Sequence, residues 1–356
     1  MASEVYFAPL SDGASAVQQA KATAKVYDAS GFGRALHERD FVAIKVHVSE
    51  KMSKTYMRPQ IIKKLVDKVR ECKGNPFITE TSTLYKGERE NAVKHLLLAH
   101  RHGFGIEKTG APFIMADGLL GNTEAEVAIN GELFDRVKIA GEIISADGLI
   151  AVAHVTGHLV SGLGACIKTL GMGLASRKGK MRQHSAMKPE VNRELCRFCR
   201  KCLRWCPRQA VSEKGGKAFI ALSRCIGCGE CLAVCRYDAI KYDWGKEAGF
   251  MQKSMAEYAL GVILNKREKC LFINLLTGMT PECDCMNTDE RFVADIGVLA
   301  STDAVAIDKA TLDLTARAFG KSVAELSHPK QDALIQIAHG EKIGLGSMSY
   351  ELIKIS

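Results

Sequence analysis

The sequence predicts an α/β fold: a mostly parallel sheet with helices on both faces, interrupted by a small α+β insertion dense in cysteine. Two observations carry this. Short apolar runs alternate with helix-period segments on both sides of the middle of the chain. Between those two stretches, residues 196–235 hold eight of the thirteen cysteines.

The elements follow in order. EVYFAPL from Glu4 reads as a strand, and ASAVQQAKATAKVYDA from Ala14 as a helix. FVAIKVHV from Phe41 is a buried strand. RPQIIKKLVDKVREC from Arg58 puts Ile61, Ile62, Leu65 and Val69 on one helical face. NPFITET from Asn75 is a strand, and ERENAVKHLLLAHRHG from Glu88 a helix ended by Gly103. APFIMADG from Ala111 and DGLIAVAHV from Asp147 are further strands. Beyond the cysteines, MAEYALGVILNKREK from Met255 is helical, and CLFINLLTG from Cys270 and ADIGVLAS from Ala294 are strands. DAVAIDKATLDLTARAFG from Asp303 is a helix with Asp303 at its N-cap, and YELIKI from Tyr350 is an edge strand. The economical division is one discontinuous α/β domain, 1–188 with 246–356, carrying an insertion over 189–245. Two independent α/β domains are the alternative.

The bulk numbers narrow the setting. The 356 residues are 47% hydrophobic and 25% charged, an ordinary globular composition. MASEVYFAPL lacks the basic start and apolar core of a secretory leader, and no apolar run approaches the roughly 18–20 residues of a membrane span. A cytoplasmic location is expected, with no membrane insertion. In that setting clustered cysteines read as metal ligands rather than a disulfide framework.

Their spacing names the metal group. Cys196, Cys199, Cys202 and Cys206-Pro207 form one C-x2-C-x2-C-x3-C run, and Cys225, Cys228, Cys231 and Cys235 repeat it. In the bacterial ferredoxin run three close thiolates hold one cubane and the fourth reaches the neighbouring one. Cys196, Cys199, Cys202 and Cys235 are therefore expected to hold one [4Fe–4S] cluster, and Cys225, Cys228, Cys231 and Cys206 the other. CPRQAV and CRYDAI close the two halves of this internal repeat, with Arg236 where proline is usual. Paired zinc sites are the competing reading, but zinc knuckles favour two separated C-x2-C pairs. The formal charge of +9 falls to roughly +5 once two such clusters and their thiolates are included. Eleven Lys or Arg lie between Arg177 and Arg208. They read either as a solvated face offsetting cluster charge or as a docking surface for an acidic electron carrier, a redox enzyme or a small anionic ligand. Nucleic acid ranks last, because no aromatic platform accompanies them.

A second site is expected around residues 153–185. His154 ends a strand, and His158, Lys168 and His184 follow, with Gly162, Gly164, Gly171 and Gly173 able to line a cofactor or anion. IKVH places Lys45 and His47, and ADG places Asp117, at the carboxyl ends of two other strands. Turn and cap chemistry is the bland account of Asp117, and satisfied packing that of a lone histidine. ECDC sets Cys283 and Cys285 two apart, able to ligate a further metal with His158 or to act as a redox thiol pair, with a structural role weighing more. Cys72, Cys166 and Cys270 sit in apolar contexts as small hydrophobes.

These motifs together resemble a family. VAIKVHVSE at Val42, TETSTLYKGERENA at Thr79, MADGLLG at Met115, AHVTGHLVSGLGACIKTLGMGLASRKGKMRQHS at Ala153, ECDC at Glu282 and DIGVLASTDAVAID at Asp295 are similar to the uncharacterised Fe–S centre proteins of domain of unknown function 362. The family occurs in anaerobic bacteria and archaea, and the resemblance covers nearly the whole chain. It implies an architecture and site candidates, not a reaction. Thr156 departs from the pattern, since many relatives carry lysine between the paired histidines.

Three functions follow. The preferred one is an iron–sulfur oxidoreductase passing single electrons from the clusters to a ligand or cofactor pocket in the α/β domain. A non-catalytic ferredoxin-type carrier with an α/β docking module is the second. A metal-dependent isomerase or lyase with structural clusters, using His158 and Lys168 for proton transfer, is the third. A bare carrier needs no His- and Lys-rich sheet edge, which favours the first.

Overall fold

The computed structural model describes residues 2–184, 189–225, 230–237, 239–241, 248–286 and 290–355. Its strands are β1 (Ser3–Pro9), β2 (Phe41–Lys45), β3 (Asn75–Glu80), β4 (Phe113–Met115), β5 (Glu124–Ala128), β6 (Arg136–Ala140), β7 (Gly148–His154) and β8 (Thr156–His158). They continue with β9 (Gly162–Gly164), β10 (Glu190–Val191), β11 (Val211–Lys214), β12 (Lys217–Ile220), β13 (Ile240–Lys241), β14 (Cys270–Leu276), β15 (Gly297–Ser301) and β16 (Tyr350–Lys354).

Eight of these form one sheet in the order β16-β1-β15-β14-β7-β2-β3-β4. β15 runs antiparallel to β1 and β14, and every other pairing is parallel. The fold is thus α/β with a mostly parallel sheet. YELIKI supplies the edge strand, paired with β1.

Strand residues alternate between two cores, as the pleat requires. Ala43 of β2, Leu149 and Ala151 of β7 and Phe272 of β14 pack on one face. The helices Cys166–Gly171, Ala248–Ile263 and Ala304–Phe319 cover that face. Val42, Ile44, Ile150, Val152, Leu271 and Ile273 pack on the other, under Ala16–Ser30 and Pro59–Glu71. Burial on both faces is why these strands are continuous apolar runs. Helix Pro59–Glu71 buries Ile61, Ile62, Leu65, Val66 and Val69 on one stripe. Asp303 caps the helix Ala304–Phe319, its carboxylate accepting from Val305 and Ala306 N–H at 2.8 and 2.9 Å.

Periodicity alone missed two hairpins. β5 pairs with β6, and β8 with β9, both antiparallel and outside the large sheet. The histidines at 154 and 158 therefore lie on successive strands and not on a helix. The region 190–241 builds its own small pairs, β10 with β13 and β11 with β12.

Candidate functional site

The carboxyl ends of β2, β3, β7 and β14 meet at one edge of the sheet, where an open α/β fold gathers side chains. Lys45 closes β2, Glu80 closes β3 and His154 closes β7. The turn carrying Cys283, Asp284 and Cys285 follows β14 and folds over this edge.

A buried ion-pair network forms the floor. Arg89 is 1% exposed. Its Nε donates to Glu50 Oε1 at 2.8 Å, and its Nη1 donates to Glu80 Oε1 at 3.3 Å. Lys45 Nζ lies 3.4 Å from the same Glu80 oxygen, and His95 Nε2 lies 3.1 Å from Glu80 Oε2. Burial would raise the Glu80 carboxyl, but Lys45, His47, His95 and Arg89 hold it well below the usual carboxylate range. Burial pulls Lys45 below its ordinary value, with Glu80 resisting. Asp117 accepts from Ser82 N–H at 2.8 Å, while burial raises its pKa. Lys180 donates to Thr81 Oγ1 at 2.6 Å and to Ser82 O. Burial lowers Lys180 to about 8 despite Asp117 and Glu80. Lys180 does not belong to the basic surface expected over Arg177–Arg208: it faces the interior, where Thr81 and Ser82 accept its protons.

Hydrogen-bond partners distinguish the histidines above this floor. His154 Nδ1 lies 2.9 Å from Asp284 Oδ1, and its Nε2 lies 2.9 Å from Thr277 O. Both partners are acceptors, so His154 is an imidazolium clamp on the turn. Burial opposes that charge, but Asp284 raises the pKa above its ordinary value. His158 is the opposite case. Its Nδ1 accepts from Ser161 N–H at 3.1 Å and Val160 N–H at 3.3 Å, leaving a neutral ring with the proton on Nε2. Burial lowers its pKa well below the ordinary value, and neighbouring Lys168 adds to this. His47 Nδ1 accepts from Ser49 N–H at 3.0 Å, and its Nε2 meets both Arg89 Nη1 at 2.9 Å and Cys285 Sγ at 3.3 Å. Burial lowers Lys168, but the Cys283 and Cys285 sulfurs more than compensate and raise it. Burial brings His184 down to about 4.

The four glycines make close packing contacts. A Cβ on Gly171 would stand 2.0 Å from Met255 O of the facing helix, and Gly162 turns the β8–β9 hairpin at φ +71°. Gly164 lies across that hairpin from Thr156, and Gly173 lies beside the Lys45 stem.

The cysteine region builds a separate site. The thiols of Cys199, Cys235 and Cys196 face that of Cys202, whose pKa burial and these neighbours raise. A shallow hollow is lined by Cys196, Cys199, Cys202 and Cys235 together with Phe198, Ala218, Tyr237 and Ile240. Ala218 N–H donates to Cys196 Sγ at 3.4 Å, and Ala239 N–H to Cys235 Sγ at 3.4 Å. Ala210 N–H donates to Cys206 Sγ at 3.2 Å, the same fourth-residue contact that Ala239 makes in the other half of the repeat. Cys206, Cys225 and Cys231 pack in the same small core, and Cys228 lies outside the described residues.

Residues 42–313 match the family model described as a domain of unknown function, DUF362. The chain belongs to the DUF362 family. Among curated proteins, dihydromethanopterin reductase (acceptor) of Methanosarcina mazei is 42% identical over 60 residues, 16% of this chain and 25% of that protein. Pyruvate synthase subunit PorD of Thermotoga maritima is 34% identical over 76 residues, 19% of this chain and 76% of that subunit. Of solved structures, the lactate racemase apoprotein from Thermoanaerobacterium thermosaccharolyticum matches at 11% identity and TM-score 0.38, covering 77% of this chain and 50% of that one. A Thermotoga maritima crystal structure matches at 11% identity and TM-score 0.42, covering 90% and 60%. The DUF362 chain thus spans a quarter of the reductase and half to three fifths of the two solved structures.

Within this DUF362 fold, Lys45, His47, His154, His158 and Lys168 come together around the Cys283–Cys285 turn. Asp117 sits in the adjoining network with Lys180. Sequence reasoning passed over Glu50, Glu80, Tyr85, Arg89 and His95. Four of them lie inside the quoted stretches at Val42 and Thr79, so the signal was there. Charged residues in a turn-rich segment simply read as solvated. Cys166 and Cys270 are buried, as expected of small hydrophobes, whereas Cys72 is only half-buried. Among the described residues no helix is long and apolar enough to cross a membrane, and no three His, Cys, Asp or Glu side chains could hold a single metal ion.

Proposed function

We propose that this chain is an iron–sulfur oxidoreductase whose α/β domain (1–188 with 246–356) binds the ligand that its inserted cluster domain (189–245) serves. The observation that carries this is the meeting of Cys196, Cys199 and Cys202 with Cys235 from the other half of the repeat. Four thiols around one apolar hollow, with backbone N–H groups already aimed at the sulfurs, fit the donor set of a cubane. Cys225, Cys228, Cys231 and Cys206 would hold the second. Bound clusters would supply one-electron transfer at low potential. A reductase and a subunit of pyruvate synthase among the relatives agree with a redox role.

The chain's own residues supply the rest. Lys168 and the Nε2–H of His158 offer donors to a ligand oxygen, and the Arg89–Glu50–Glu80 network fixes the floor beneath them. Arg197, Arg200, Arg204 and Arg208 are exposed beside the cysteine runs, a surface suited to an acidic electron carrier.

Anaerobically purified protein is expected to contain about eight iron atoms per chain and to absorb at roughly 390–420 nm. His158→Ala and Lys168→Ala should each keep that iron and lose ligand binding or turnover. Stoichiometric zinc without the absorption band would overturn the proposal.

A further inference from the structure

Cys283 and Cys285 stand outside both cysteine runs, and the surroundings of Cys285 are those of a nucleophile. Three polar groups converge on its sulfur. His47 Nε2 lies 3.3 Å away and Arg89 Nη2 3.4 Å away, and the Cys283 thiol supplies the third. Ser49 N–H meets His47 Nδ1, and Arg89 Nη1 donates toward His47 Nε2 at 2.9 Å, so Arg89 ties the imidazole to the sulfur. A sulfur facing the Arg89 guanidinium, the Lys168 ammonium and the Cys283 thiol is held as thiolate. Its depressed pKa agrees: the Cys283 hydrogen bond, His47, Arg89 and Lys168 lower it against burial. Lys45 and Tyr85 also face it, Tyr85 as a neutral phenol.

The turn is held in place for this purpose. Asp284, between the two cysteines, is clamped by the His154 imidazolium, and Asp284 O accepts from Ser49 Oγ at 3.2 Å. Cys285, His158 and Lys168 are each partly exposed, and the charge of Lys168 acts on both Cys285 and His158. Two cations beside the sulfur, Arg89 and Lys168, disfavour a metal cation there.

We infer that Cys285 is a nucleophilic thiolate that takes small aldehydes or ketones as reversible covalent adducts, with Lys168 and His158 at the carbonyl oxygen. This rests on the reading of the sheet edge as a ligand pocket and not on the clusters. The thiolate attacks the carbonyl carbon, forming the C–S bond. The C=O π pair moves to oxygen, and Lys168 gives that oxygen a proton. One anion and one cation are neutralised together, so the buried charge balance does not change, and no oxidant or leaving group is required. His158, neutral and with its proton on Nε2, donates a hydrogen bond to the same oxygen.

The cluster-loaded chain is treated at pH 6 with limiting iodoacetamide, and the labelled cysteines are mapped by mass spectrometry. Cys285 should react about tenfold or more faster than half-buried Cys72, since an ordinary thiol is under about 1% ionised there while thiolate nucleophilicity falls only modestly with pKa. Isotope-labelled acetaldehyde should then give a thiohemiacetal carbon signal that Cys285→Ser removes and Lys168→Gln weakens. Equal labelling of Cys285 and Cys72 overturns the thiolate, without needing any variant to fold. Fast labelling with no acetaldehyde adduct overturns the carbonyl assignment. Iron counted in the same sample separates the two ideas: iron-free protein that still forms the adduct defeats the oxidoreductase reading alone.

Discussion

The same side chain serves two regions of this molecule in opposite surroundings. In the cysteine-rich region, sulfurs accept from backbone N–H groups of Ala210, Ala218 and Ala239 and pack among Val211, Ile220 and Ile240. At the sheet edge, the Cys285 sulfur accepts from Arg89 Nη2 and faces His47 inside a network of ion pairs. Backbone donors in an apolar shell stabilise thiolates shared with a delocalised core and leave nothing to exchange protons. Charged side-chain donors stabilise a free thiolate and stand ready to move a proton. On the proposed reading, the difference separates electron storage from bond-making chemistry.

The largest effect on this comparison is expected from the crossed cysteines. Cys235→Ala should remove the cluster of Cys196, Cys199 and Cys202, halving the iron from about eight per chain. Cys206→Ala should damage the cluster of Cys225, Cys228 and Cys231. Iron counting with paramagnetic resonance of the reduced protein checks both. Loss in each case of only the cluster adjacent in sequence would break the crossed pairing.

At the sheet edge, Arg89→Met should cost about 3–5 kcal/mol in urea unfolding, because Glu50 and Glu80 are left buried without their partner. Iron content should not change. A cost below about 1 kcal/mol would mean that water reaches the network and that it is no rigid floor.

Gly171→Ala should cost about 1–3 kcal/mol, since the helices must part to admit a Cβ now 2.0 Å from Met255 O. Thermal unfolding measures it, and the shift should be accompanied by weaker ligand binding at Lys168 on the same helix.

The smallest effect concerns pH. The folded pKa of His154 stands above the ordinary 6.5. Its contribution is therefore fully present below about 6.5 and is lost as pH rises through the raised value. Hydrogen exchange at residues 277–285, corrected for intrinsic rates, should show protection falling on the alkaline side in the wild type and a flat profile in His154→Gln. The same sloping profile in both would remove His154 as the clamp.

Legibility in the sequence followed locality. Strands β1, β2, β3, β7, β14, β15 and β16 were readable because burial on one or both faces leaves a pattern within five to seven residues. The helix at Asp303 was readable because a cap is a two-residue event. The β8–β9 hairpin was not, because its strands are three residues each and offer no period to count, and the β5–β6 hairpin was not, because β5 has no fully buried residue to mark a face.

By itself the sequence determined the α/β class, the doubled cysteine spacing and the presence of Lys45, His47 and His154 at strand ends, with His158 and Lys168 in the Gly-rich stretch that follows. A thiolate run of fixed spacing is a local fact, complete within a few turns of chain. Only the tertiary structure decided that Arg89 lies beneath Cys285, that Asp284 meets His154 across 130 residues, and that Lys180 points inward. Nor could the sequence say which histidine is charged. His158 meets the N–H groups of Val160 and Ser161 beside it in sequence, but the acceptors that charge His154, Asp284 and Thr277 O, reach it only when the parallel sheet aligns its carboxyl ends.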